Sequence, residues 1–347
     1  MRWCFAILLA AGLGCGKDDP KGPAALPAVS FEAHQAALPA LTVLDQPGLW
    51  KMDTEFVEFN PTNNAATTNK STATAHVSWA LKGHVLLLET EINSNPKGYE
   101  LVVKNFDSTA KTNAYRCTWI HDDGLVRGYA GQWSPKQARM DWEPIYLPGG
   151  QKGLTVKMAD VFTNPTEKTF QYQMSITNRP VAAGLFKATR QPGGAGRQEF
   201  APTEAMMKKL GKAGRWTESQ SLMEGGQVKQ MQSVSRMRWA RGGKFLINEG
   251  LNDPGATKEL FVWIKTWDRV VGVYRWVYIW EDGHVDHYTG YWDDGKQLIT
   301  WHAIFPGVVI ELRESLAVPN QRTWSFEVHG QTGILSTGSG TSTFGGN

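Results

Sequence analysis

Aromatic side chains recur at every second position from Tyr274 to Trp280. Tyr274, Trp276, Tyr278 and Trp280 alternate with Arg275, Val277 and Ile279. A period of two puts the first set on one face of a β-strand and the second set on the other. The run ends at Asp282-Gly283, and a second alternating run follows to Trp301. Asp-Gly between two such runs predicts a β-hairpin, because a type I′ turn needs φ > 0 at both central residues. The same pattern stands earlier, from Tyr115 to Trp142 around Asp123-Gly124. The two stretches align without a gap and share Tyr115/Tyr274, Arg116/Arg275, Ile120/Ile279, Tyr129/Tyr288, Gly131/Gly290 and Trp142/Trp301 among other positions. The chain contains one unit twice, and one copy checks the other. A two-residue turn predicts that Tyr274 faces Tyr291, Trp276 faces Thr289 and Tyr278 faces His287. It also sets Arg116 opposite Gly131 and Arg275 opposite Gly290, with Tyr129 and Tyr288 on the arginine face.

The repeat extends on both sides of the hairpin. Trp79 matches Trp239, Gly83 matches Gly243, and Glu89 matches Glu249. Further runs with strand composition pair off: Glu100–Phe106 with Glu259–Trp267, Leu154–Phe162 with Val308–Leu316, Thr169–Thr177 with Thr323–His329, and Gly184–Arg190 with Gly333–Phe344. About eight to ten short strands per repeat, separated by turn residues, predict an all-β barrel or sandwich. Each repeat opens on a short helix and a Gly-x-Trp: the stretch 31–45 leads to Gly48-Leu49-Trp50, and a helix from Thr203 to Lys212 leads to Gly214-Arg215-Trp216. The domains are therefore 31–191 and 203–347, joined by a Gly- and Pro-rich linker at 192–202.

Residues 1–14 read as an export signal. Arg2 supplies the positive charge, and the apolar run that follows is too short to span a bilayer, which needs ~20 residues. The run closes on Gly12-Leu13-Gly14-Cys15, a small residue before cysteine as in a bacterial lipobox. Cys15 is then the lipidated N-terminus of the mature chain, tethered by the Pro-rich stretch 15–30. Two or more acyl chains anchor stably where one is marginal. A plain secretory signal is the alternative. The expected location is the bacterial cell envelope, lipid-anchored and outside the cytoplasm. Cys4 leaves with the signal, so Cys117 is the one thiol left for the domains. Trp276 takes its place in the second copy, which reads Cys117 as a core residue rather than a nucleophile.

Composition narrows the function classes. The chain has 347 residues, 15 of them Trp, and a net charge of +3. Each buried Trp removes roughly 150–250 Å² from water, about 4–6 kcal/mol gross at ~25 cal/mol/Å². That is material for two cores. The small net charge and the lack of a basic cluster argue against nucleic acid. The sequence holds no G-x-S-x-G, H-E-x-x-H or C-x-x-C. His284, Asp286 and His287 cluster, but alternation sends His287 to the face opposite the other two. No cofactor or metal is expected, and His302 beside the repeated Trp301 is replaced by Glu143 in the first copy.

A Gly-x-Trp that opens an antiparallel meander resembles the calycins, the lipocalin-like barrels. The resemblance implies that Trp50 and Trp216 close one end of each barrel and that a basic residue of the last strand packs over the ring. Arg190 is that residue in the first copy, while the second ends in GTSTFGGN without Arg or Lys. More specifically, the leading helix, G-x-W, Trp239 with Gly242-Gly243-Lys244-Phe245-Leu246, and the aromatic D-G hairpin resemble the bacterial domain of unknown function 1579. The expected fold is two tandem lipocalin-like antiparallel β-barrels, each preceded by a short helix.

The repeated hairpin supplies the candidate ligand-binding residues: Tyr115, Arg116 and Trp119 in one copy, Tyr274, Arg275, Trp276 and Tyr278 in the other. An inward Arg116 or Arg275 would need an anion such as a carboxylate or phosphate. Outward, the same side chains would stack across Tyr129 and Tyr288. The function expected first is non-catalytic binding of a small apolar or amphiphilic ligand inside a barrel. A structural or protein-interaction module using the barrel exteriors is the alternative. An enzyme with one active barrel comes last, since the copies share no polar set beyond the arginines.

Overall fold

A computed structural model describes residues 35–346 apart from 61, 64, 95, 113, 148–152, 193–198 and 254–258. The signal sequence, Cys15 and the tether lie outside the described residues. Twenty strands form two closed antiparallel barrels of ten strands each. The first barrel contains β1 (Gly48–Phe59), β2 (Ala66–Ala80), β3 (Val85–Ile92), β4 (Gly98–Phe106), β5 (Tyr115–His121), β6 (Val126–Ser134), β7 (Arg139–Tyr146), β8 (Leu154–Asn164), β9 (Glu167–Ile176) and β10 (Arg179–Gln191). The second contains β11 (Gly214–Glu224), β12 (Gln227–Trp239), β13 (Leu246–Asp253), β14 (Glu259–Asp268), β15 (Val273–Trp280), β16 (Val285–Asp293), β17 (Leu298–Phe305), β18 (Val308–Ser315), β19 (Gln321–Gly330) and β20 (Gly333–Gly346). Each strand pairs with its sequence neighbours, and β1 and β11 close the rings against β10 and β20. A short helix precedes each barrel: a 3-10 turn at Pro39–Val43 and α1 at Ala205–Lys208. The second is shorter than the expected Thr203–Lys212. The Thr203 hydroxyl does not cap it but donates to the Gly242 carbonyl at 3.0 Å.

The hairpin pairs one residue out from the two-residue-turn prediction. Tyr274 faces Gly290, Trp276 faces Tyr288 and Tyr278 faces Asp286. In the first copy Tyr115 faces Gly131 and Arg116 faces Ala130. The reason is the turn. Gly283 N–H donates to the Trp280 carbonyl and Trp280 N–H to the His284 carbonyl, leaving a three-residue loop, Glu281-Asp282-Gly283. Gly283 alone takes a left-handed φ of +90°, as in a type I turn closed by a glycine bulge. A one-residue slip exchanges faces on the partner strand. Tyr129 and Tyr288 accordingly join the aromatic face and not the arginine face. Gly131 and Gly290 leave room for tryptophan rather than arginine: a Cβ there would lie 2.5 Å from Trp142 or Trp301.

The barrels pack wall to wall. Val85, Leu87, Leu101, Val103 and Ile120 of the first form one buried cluster with Phe245, Ile247, Val262, Ile264, Val277 and Ile279 of the second. β3, β4, β13 and β14 are therefore apolar on both faces, reading as near-continuous hydrophobic runs. The packing is reciprocal. Glu249 accepts from Leu81 N–H at 3.0 Å, and Glu89 accepts from Arg241 N–H at 2.9 Å. Glu89 also forms a buried 2.6 Å pair with Arg238. The tip at Asp282-Gly283 docks on the Phe106–Ser108 loop, where Ser108 N–H donates to the Asp282 carbonyl at 2.8 Å. The tip at Asp123-Gly124 docks on Trp267–Arg269, where Arg269 N–H donates to the Asp123 carbonyl at 2.7 Å. A Cβ on Gly124 or Gly283 would strike the facing backbone of Trp267 or Phe106.

Arg116 and Arg275 belong to this interface. Arg116 pairs with Asp107 at 2.7 Å and Arg275 with Asp268 at 2.8 Å. Those two aspartates hold the loops that receive the partner tips, accepting from the N–H groups of Thr109 and Ala110, and of Val270 and Val271. The arginines neither enter a barrel nor stack across Tyr129 and Tyr288.

His287 stacks face to face on Tyr146 across the interface, with ring centroids 4.0 Å apart. Its Nδ1 is shut off from water without a partner. Burial pushes the imidazole from its ordinary 6.5 down to about 4. Between those pH values the unfolded chain takes up a proton that the folded one refuses, so stability falls as pH drops through the window. The slope is at most about 1.4 kcal/mol per pH unit. Urea denaturation from pH 7 to 4 should show this loss in the wild type, and His287→Phe should flatten it.

Candidate functional site

Strand direction gives each barrel a closed end and an open end. The Gly-x-Trp turns, the leading helices and the β4–β5 and β14–β15 loops lie at the closed ends. The Asp-Gly tips lie at the open ends. Trp50 and Trp216 are buried at the closed ends, each donating its indole N–H to a lead-in carbonyl: Gln46 at 2.9 Å and Lys212 at 3.1 Å. Register sets Arg190 opposite Trp50, and its guanidinium packs over Gly48 beside the ring. The cation over the Trp50 ring is Lys168, 6.0 Å from the centroid. Arg322 takes the same place over Trp216 at 5.7 Å. Both come from the penultimate strand, so the second barrel lacks nothing by ending without Arg or Lys. Phe344 stands opposite Trp216, with the rings 5.5 Å apart.

Above each tryptophan lies a buried charge cluster. In the first barrel Lys104 reaches Asp45 at 2.7 Å and Asp160 at 2.8 Å. Lys168 pairs with the same two carboxylates, and Trp142 N–H donates to Asp160 at 2.9 Å. Burial alone would push the Lys104 ammonium down, but Asp160 and Asp45 together hold it well above its ordinary value. In the second barrel Lys265 pairs with Glu314 at 2.5 Å, while Arg322 lies 3.4 Å from both Glu314 and Glu218. Three indole rings, Trp263, Trp276 and Trp301, surround the Lys265 ammonium at 4.7–4.8 Å. Burial, with Arg322 adding to it, pushes Lys265 down to about 8 despite Glu314. Two cations balance two carboxylates in each barrel. None of these eight residues was among the sequence candidates. The sequence signal is a lysine inside an otherwise apolar strand, Val103-Lys104 and Ile264-Lys265, repeated at the same place.

The interiors above the clusters differ. The first barrel keeps a void of ≈ 70 Å³ among Cys117, Trp119, Phe170, Phe186 and Met158. Its Cys117 thiol is pushed up to about 12 by burial, which agrees with a core residue. The second encloses ≈ 250 Å³, walled by Phe261, Trp263, Trp276, Tyr278, Tyr288 and Trp324. Register explains the gap. Phe186 faces Thr54 in the first barrel where Gly340 faces Gln220 in the second. Ala73, Ala75 and Leu88 likewise correspond to Ser233, Ser235 and Asn248. Trp276, 8 % exposed, keeps its indole N–H buried without an acceptor.

Of the sequence candidates, Trp276 and Tyr278 wall the larger cavity and Trp119 the smaller. Tyr115 and Tyr274 lie lower and donate their hydroxyls to Ala40 and Met206 carbonyls. His284 and Asp286 line the cavity mouth 2.9 Å apart. Among the described residues no three His, Cys, Asp or Glu side chains gather to hold a metal. Exposed Met223, Val228, Ile304, Val309, Ile334 and Leu335 flank three adjacent hairpins at this open end.

No family model matches the chain, and no curated protein matches it. Solved structures similar to it include the S-type phycobiliprotein lyase CPES from Guillardia theta. That protein is 12% identical, with 41% of this chain and 92% of that one covered at a TM-score of 0.29. A DUF3598-family protein of unknown function from Nostoc punctiforme is 9% identical, with coverage of 86% and 96% at 0.25. Intact Ap-TbpB, with N and C lobes, is 9% identical, with coverage of 90% and 78% at 0.20. The fold assignment rests on the closed strand ladders themselves.

The two lysines should respond differently to removal. Lys104→Met leaves two buried carboxylates with one cation and should cost about 3–5 kcal/mol, as for one partner of a buried pair. Lys265→Met also leaves two carboxylates with one cation, but burial already pulls the Lys265 ammonium below its ordinary value, so this variant should cost clearly less. Urea midpoints of the two variants at pH 7 check this ordering.

Proposed function

We propose that the chain is a non-catalytic envelope lipoprotein that holds a small apolar or amphiphilic molecule in its second barrel. The observation that carries this reading is the ≈ 250 Å³ aromatic cavity with an unpartnered indole N–H in its wall. A void of ~150 Å³ suffices for benzene. The first barrel, with ≈ 70 Å³, serves as scaffold. The interaction reading is weaker because an apolar exterior of each barrel is already consumed between them. We read the repeats as relatives of domain of unknown function 1579, and the apolar side chains at the open end as an entry rim for a ligand arriving from a lipid phase.

Native mass spectrometry of the mature chain, followed by organic extraction, should reveal a co-purifying small molecule. Leu312→Trp, which fills the cavity from β18, should abolish its retention while circular dichroism stays unchanged. An empty wild-type protein that also shows no thermal shift across a panel of small hydrophobic and amphiphilic compounds would sink the reading. Export and anchoring are tested separately. Cys15→Ser should move the protein from the membrane to the soluble envelope fraction and remove the acyl mass from its N-terminus.

A further inference from the structure

The charges on the floor of the second barrel are balanced, and those at its mouth are not. On the floor Lys265 and Arg322 are matched by Glu314 and Glu218. At the open end Glu224 and Glu259 also line the cavity, and neither has an ion-pair partner among the described residues. Asp286 is taken up by the Trp280 indole at 3.1 Å and by His284 at 2.9 Å. Among the described residues no lysine or arginine lines the upper cavity. Burial pushes the Glu259 carboxyl up, and Glu281 and Asp282 add like-charge repulsion that Lys229 only partly offsets. A positive group placed there relieves that repulsion.

The walls suit such a group as well. Tyr278 and Trp280 stand 4.4 Å apart, and Trp276 lies on Tyr288 at 4.7 Å. Ring faces attract a cation through their quadrupoles. Deeper in, the Trp276 N–H is buried and lacks an acceptor, although a hydrogen-bonding group left unmatched in an interior costs about 1–3 kcal/mol. An acceptor carried by a molecule in the cavity would satisfy it.

We infer that the ligand of the second barrel is an organic cation: an ammonium drawn to the rim carboxylates Glu259 and Glu224, an apolar or aromatic body between the rings, and a hydrogen-bond acceptor against Trp276. This rests on the binding reading above and adds the charge and polarity of the ligand. In the first barrel the register position of Glu259 is Gly98, and that of Glu224 is Glu58, which does not line the void; Glu100, among the described lining residues, lies 3.3 Å from His121.

The test uses three matched probes on the full mature chain: (6-methoxynaphthalen-2-yl)methylamine, the corresponding alcohol, and the corresponding carboxylic acid. Tryptophan quenching and calorimetry read the affinities at low and at moderate salt. The amine should bind at least about tenfold tighter than the alcohol, the acid weakest, and the preference should shrink with salt. Glu224→Gln with Glu259→Gln should erase the preference of amine over alcohol. Trp276→Phe should weaken amine and alcohol alike. If the alcohol binds and the amine binds no better, the cation assignment is wrong while the binding reading stands. If the preference survives the double substitution, the assigned carboxylates are wrong. If none of the three binds the folded protein, the cation assignment is wrong, and the extraction and compound panel above decide the binding reading separately.

Discussion

Lys104 and Lys265 sit at the same place in the two barrels, each fully buried against a carboxylate from across the interior. Taking such charges out of water costs several kcal/mol per ion, and pairing offsets that cost only while the geometry holds. The cluster therefore constrains register across the ring. Lys104 on β4 must meet Asp160 on β8 and share it with Lys168 on β9. A slip of one residue in any of these strands would turn a charge outward and strand its partner. The tryptophan of Gly-x-Trp packs beneath the cluster and the aromatic walls stand above it. The closed end is thus a fixed polar floor, and what happens above it is free to differ between the copies.

It does differ, and the difference lies in a few positions. Phe186 fills the first barrel where the second has Gly340, with Trp324 lying over the glycine. Three apolar positions become Ser233, Ser235 and Asn248. The source of the second carboxylate also moves, from Asp45 in the lead-in segment to Glu218 on β11. That shift moves the carboxylate onto a barrel strand and, with Arg322 in place of a lysine, changes the balance around the central amine. One copy has kept the floor and packed the interior. The other has kept the floor and opened the interior above it.

The aromatic face, the repeat and the alternation were legible because period two and Asp-Gly leave a strong local pattern. The turn type was not, since Asp-Gly serves a two-residue turn and a three-residue loop closed by a glycine bulge. That one residue misplaced Tyr129, Tyr288, Gly131 and Gly290. Arg116 and Arg275 misled for a different reason. A residue shared by two copies suggests a ligand contact, yet reciprocal packing also requires the same residue in both copies. The near-continuous apolar runs at Val85–Leu88 and Leu260–Ile264 carried the missing signal. A strand apolar on both faces must be covered on both, and in a barrel the outer cover has to be another body. The buried lysines within or beside those runs were the second unread signal.

Reciprocal docking has a consequence for the cavity. Each Asp-Gly tip leaves the open end of its own barrel and seats on a loop at the closed end of the other, so the two mouths face opposite ways. β15 and β16 therefore do two jobs at once. Their inner faces hold Trp276, Tyr278, Trp280 and Asp286 around the cavity, and their tip holds Asp282-Gly283 against Phe106 and Ser108. Glu281 in the same tip approaches His84 of the first barrel at 3.7 Å while accepting from Leu260 N–H beside the mouth. The rim acid Glu259 is next in sequence to Leu260. A charge settling at the mouth acts on residues that also fasten the barrels together, so the filled barrel is a brace for the geometry of the open one.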